Sequence, residues 1–174
     1  SAVQAASFRE NSLIGLEVML KSKEKANTVY EKAVEMAAKT PFETTDMIPL
    51  FQKLLASGFK ENELESVATA IGDMAASKNM DKGVMDRLTM AFGKLKGKGK
   101  LDAEIVNSLI DVGLSSGKIY DEIAKLMGKE SSEIQKMISA GKINADVATK
   151  AILNVVKDQF GGTMQKMSAT LLGL

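Results

Sequence analysis

Apolar residues recur at three- and four-residue intervals along most of the chain, which predicts amphipathic helices throughout. Ser22 is placed to cap a helix carrying Ala26, Val29, Tyr30, Ala33, Val34 and Ala37 on one stripe. Before it, Ile14, Leu16, Val18 and Leu20 alternate as a strand would; the helix-forming flanks and the lack of a pairing strand favour helix over 13–20. Pro41 lacks a backbone N–H and pushes Thr40 out of the helical region, so a helix must stop there. Thr44 or Thr45 can then cap a helix with Ile48, Phe51, Leu54 and Leu55 on its buried face, closing at Gly58.

Further stripes predict helices near 61–77, with Leu64, Val67, Ala68, Ile71 and Met74, and near 81–95, with Val84, Met85, Leu88, Phe92 and Leu95. Asp102 can cap a helix ending at Gly113, followed by helices near 118–127, 131–140, 145–160 and 163–172. Glycine is the repeated stop signal, at 113, 128, 141 and 161. The pattern predicts an all-α fold, a compact array of about eight or nine short amphipathic helices. The sharpest shift in composition is Gly93-Lys94-Leu95-Lys96-Gly97-Lys98-Gly99-Lys100, which predicts a flexible basic loop and allows two lobes divided at 96–101. No fixed repeat and no sustained heptad is present.

Composition narrows the chemistry. With 174 residues and 45% apolar content, the chain can bury one good core or two small ones. Its net charge of +1 gives no global field for nucleic acid, anionic membrane or acidic substrate. It has no cysteine and no histidine, which excludes disulfides, thiol catalysis, a Ser-His-Asp triad, a His general base and zinc sites built on either residue. No cofactor is expected. The start carries no signal-peptide pattern, and no window approaches the ~20 apolar residues of a membrane helix, so a soluble domain is expected. Ser1 at the start and Leu171-Leu172-Gly173-Leu174 at the close predict a piece excised from a longer protein.

Four constellations carry candidate chemistry. Lys94, Lys96, Lys98 and Lys100 are candidate polyanion contacts, although Gly93, Gly97 and Gly99 do not meet the Walker A spacing and no hydroxyl follows the lysines. Ala124, Gly128 and Ile134 fall at helix-turn-helix spacing, which raises a nucleic-acid-binding alternative. There, Glu130 and Glu133 stand where a recognition helix would meet DNA, and specific DNA binding is not expected. Glu65 and Glu130 are the glutamates to weigh for glycosidic-bond cleavage; their surroundings read as ordinary helix surface. Among eleven methionines, Met74, Met85, Met127, Met137 and Met164 are in phase with buried stripes. Met19, Met80 and Met90, with Phe42 and Phe59, are the candidates for an interaction face.

The order of the punctuation is more telling than any one motif. Thr40-Pro41-Phe42-Glu43, Gly58-Phe59, Ile71-Gly72-Asp73, Gly97-Lys98-Gly99-Lys100-Leu101 and Phe160-Gly161-Gly162 follow one another along the chain. Over roughly residues 8 to 174 this order resembles the tape measure domain of phage and prophage tail tape measure proteins. Residues 1–39 then form an N-terminal helical segment and 40–174 the tape measure domain. The resemblance implies a structural, non-enzymatic role in tail assembly and tail length determination. Implied partners are the tail tube protein, tail assembly chaperones and baseplate or initiator proteins. The implied locations are the host bacterial cytoplasm during assembly and the tail lumen of the mature virion.

Overall fold

The computed structural model describes residues 1–171 and residue 173. Among these the chain is all-helical, with ten α-helices: α1 Ala2–Leu20, α2 Lys23–Ala38, α3 Thr44–Ala56, α4 Leu64–Ser77, α5 Lys82–Lys98, α6 Ala103–Asp111, α7 Ser116–Met127, α8 Ser131–Ser139, α9 Ala145–Phe160 and α10 Thr163–Leu171. A single 3-10 turn, Glu61–Glu63, leads into α4. The count exceeds the expected eight or nine: both end segments, expected as helix over 13–20 and 163–172, form helices of their own, and α1 reaches back to Ala2. Leu172, at the end of the expected last helix, lies outside the described residues.

Local chemistry sets the boundaries. The Ser22 hydroxyl accepts the Lys25 N–H at 3.1 Å and the Asp102 carboxylate accepts the Ile105 N–H at 2.9 Å, so both expected caps form. At α3 the cap falls one residue early, on Glu43, whose N–H donates to the Asp46 carboxylate at 2.9 Å. Helix α2 ends at Ala38, ahead of Pro41, and Phe42 turns into the core with 2% exposure. Gly58, Gly113, Gly128 and Gly141 all sit at positive φ, the conformation that ends a helix at little cost to glycine.

Helix α4 is the hub. Ten of its residues, Leu64, Val67, Ala68 and the run Ala70 to Ala76, are buried. It packs against α3, α5, α9 and α10, while α1 and α2 form a hairpin against α3, and α7 joins α8 to α9. Buried residues from Leu16 to Met164 belong to one core cluster, continuous across 96–101.

The Gly/Lys tract is not a flexible loop. Helix α5 runs through it to Lys98, because Leu95 continues the buried stripe of Leu88 and Phe92, and Gly97 faces open space. The turn that follows is held down by two backbone hydrogen bonds, Leu101 N–H to Ile143 O and Ala145 N–H to Gly99 O, both 2.9 Å. Leu101 is fully buried beside them.

Candidate interaction surfaces

Helix α1 carries apolar side chains on two opposite sides. Leu16 is buried, with Phe8, Leu13 and Leu20 packed partly against the core. At 100° per residue, Val3, Ile14 and Val18 fall on the far side of the helix from Leu16. They are 75%, 55% and 72% exposed, and with Met19 they make α1 the richest helix in exposed large apolar residues. Glu10 and Glu17 border this outer stripe, are exposed, and take no part in the ion pairs of the described residues. The arrangement is an apolar strip with an acidic edge.

The five side chains expected to share an interaction face do not share one. Phe42 and Phe59 are buried core residues at 2% and 3% exposure, a correction to their reading as surface contacts. Both are drawn inward because they follow sharp turns that aim them under the helices they introduce. Met80 is partly buried, in a turn where its φ is positive. Met19 and Met90 are exposed on separate helices, α1 and α5.

The four lysines of the tract are engaged differently. Lys96 is the least exposed; its ammonium lies 3.6 Å from Glu63, 3.7 Å from Asp146 and over the Phe59 ring. Lys94 pairs with Glu104 at 3.0 Å, and Lys98 with Asp102 at 2.8 Å and Glu104 at 3.5 Å. These neighbours hold the Glu104 carboxyl below its ordinary range, chiefly through the hydrogen bond from Lys94. Burial opposes the charge of Asp102, yet the Lys98 ammonium and the Ile105 N–H outweigh it and lower that pKa as well. Lys100 lies against the turn at Gly141. Three of these four cations already neutralise carboxylates of the same fold, which leaves little field for a polyanion.

Ala124 and Ile134 are buried between α7 and α8, and Gly128 makes the left-handed turn that joins them. The N-terminus of α8, where a DNA reader would present donors, instead carries Glu130 as cap, its N–H donating to the Glu133 carboxylate at 3.4 Å. Packing explains the helix-turn-helix spacing. Glu65 is an exposed partner of Lys32 at 3.1 Å, and Glu130 is this exposed cap, so neither has the apolar enclosure that raises a catalytic acid.

Among the described residues one charged side chain is buried, and no local pattern announces its role. Asp73, on α4, is 5% exposed; its carboxylate accepts the Met164 N–H at 2.9 Å and the Gly162 N–H at 3.2 Å. Burial raises its pKa, and the two donors partly counter that. It stands between a cleft of about 170 Å³ reaching Glu35, Lys39 and Glu65 and one of about 570 Å³ reaching Asn154 and Lys157.

No group of three or more metal-binding side chains occurs among the described residues, and no helix is long and apolar enough to cross a membrane. The described residues form an all-α array built around one central helix, with ion pairs between its helices and an apolar strip left outside. The whole chain, residues 1–174, matches the family model described as "Tape measure protein", and it belongs to that family of phage tail structural proteins. No curated protein and no solved structure matches it.

Proposed function

We propose that the chain is a non-enzymatic segment of a phage or prophage tail tape measure protein, acting in tail assembly and tail length determination. The observation that carries this reading is the family match over residues 1–174. Its partners are the tail tube protein, tail assembly chaperones and baseplate or initiator proteins. It is made in the host cytoplasm and comes to lie in the tail lumen.

Residues 1–39, the α1–α2 hairpin, supply the contact unit of this reading, through the outer side of α1. The occupant we assign is a partner helix with an apolar stripe and a basic flank. The acidic edge of Glu10 and Glu17 favours such a helix, whereas a second copy of α1 would bring carboxylates together.

A compact chain of this length has a radius of gyration of about 16 Å by chain-length scaling, and a place inside a narrow tube would constrain it. The domain therefore docks at an end or opens at its glycine turns, and modest stability suits either route. The test is in-frame shortening of the parent gene with tail lengths measured by electron microscopy. Shorter tails are expected in proportion to the deletion; unchanged tails would sink the proposal.

A further inference from the structure

Helix α10 depends on α4 for its own existence. It has nine residues, below the length at which an isolated helix holds in water. Its leading residues, Gly161 and Gly162, have no side chain to cap its free N–H groups. The cap comes instead from Asp73, 91 positions before Met164, whose two carboxylate oxygens take the Gly162 and Met164 N–H groups. The first turn is anchored by Met164, itself 3% exposed, laid over Gly72. A Cβ at residue 72 would run into the Met164 sulfur, so glycine makes the seat. Beyond this anchor only Ser168 is buried, and α4 is the helix against which α10 chiefly packs. The connection to α9 is the Gly161-Gly162 pair, with Gly162 at φ +84.

The cap of α10 and its deepest side chain, Met164, are thus concentrated at its first turn, on α4, next to a two-glycine joint, with Met167 and Ser168 adding contact one turn further on. We propose that α10 is a strap that leaves α4 as a unit while the rest of the fold stays intact, uncovering Gly72 and Asp73 of α4. Undocking and unwinding are one event, because the released helix has neither a cap nor the length to persist. Opening also joins the two clefts whose linings share Asp73 and Gly162. This inference rests on the α4–α10 contacts and stands apart from the role in tail length.

Native-state hydrogen exchange on the wild-type chain tests it. Amides of 163–171 should open with a smaller free energy and a weaker denaturant dependence than the buried amides of α4 and α9. In Asp73→Ala the 163–171 amides should exchange faster by roughly tenfold to a hundredfold, the loss expected for two buried hydrogen bonds, while α4 and α9 change little. Gly72→Ala, which disturbs the Met164 seat without touching charge, should act in the same place. If α10 opens with α4 and α9 in the wild type, or if both variants speed exchange evenly over all three helices, there is no strap. The wild-type comparison decides the matter even where a variant fails to fold.

Discussion

The ammonium of Lys96 lies 5.3 Å from the centre of the Phe59 ring, and the same charge faces Glu63 from the start of α4 and Asp146 from the start of α9. One partly buried cation therefore ties three helices together. Lys96→Ala should cost about 1 to 2 kcal/mol, most of it from the ring and Glu63, since Asp146 is largely exposed and its pairing is screened. Lys94→Ala, which removes an exposed pair, should cost well under 1 kcal/mol. Urea unfolding of the two variants checks this; equal losses would show that Lys96 has no special place.

Two glycines in helices should respond to alanine with opposite signs. Gly97 lies inside α5 with nothing within 4 Å of an added Cβ, so Gly97→Ala should stabilise by about 0.5 to 1 kcal/mol through helix propensity. Gly72 gains the same propensity, but its methyl would displace Met164, and overpacking of 1 to 3 kcal/mol is typical of such sites. A net loss of about 1 kcal/mol is expected. Thermal unfolding of both variants in one buffer reads the signs directly.

The contrast between these glycines shows where sequence reasoning held and where it failed. Ser22, Asp102, Gly113, Gly128 and Gly141 act through neighbours a few residues away, and each behaves as its local pattern predicts. The tract 93–100 reads as a loop only when glycine is counted as a breaker. Leu95, three residues after Phe92, and the spacing of Lys98 to Asp102 were the signals that the helix continued. Phe42 and Phe59 read as surface because their burial is decided by helices distant in sequence. Asp73 shows the limit most clearly. Its apolar neighbours on α4 mark a buried helix, yet nothing near it announces a carboxylate that caps a helix 91 positions later.

Acid should act in opposite directions on Asp73 and on the Asp102–Glu104 pair. The Asp73 pKa is raised, so its contribution to stability is fullest below the ordinary aspartate value near 4 and is lost as pH rises through the folded value. Glu35, Lys39 and Glu65 on one side and Lys157 on the other face the same clefts and set the local field. Asp102 and Glu104 are lowered, so their contribution holds above their ordinary values and fades as pH falls through the folded ones. Relative to Asp73→Asn, the wild type should gain stability as pH falls toward the ordinary aspartate value. Relative to Asp102→Asn, it should lose stability below about pH 4. Urea midpoints measured over pH 3 to 7 give both slopes, and a parallel response of the two variants would contradict the assignment.

The outer strip of α1 should matter to assembly and hardly at all to folding. Val18 is 72% and Ile14 55% exposed, so Ile14→Ser and Val18→Ser should leave stability within about 0.5 kcal/mol of wild type, as surface substitutions do. Leu16→Ala, on the buried side of the same helix, should cost roughly 2 to 5 kcal/mol. If a basic-flanked partner helix sits on the strip, Glu10→Lys with Glu17→Lys should reverse the attraction and reduce completed tails without moving the unfolding midpoint. Counting tails by electron microscopy in a phage carrying each change, beside the melting temperature of the isolated domain, separates the two effects. Normal tail yield from both the serine and the lysine variants would remove α1 as the contact face, whatever the role of the rest of the chain.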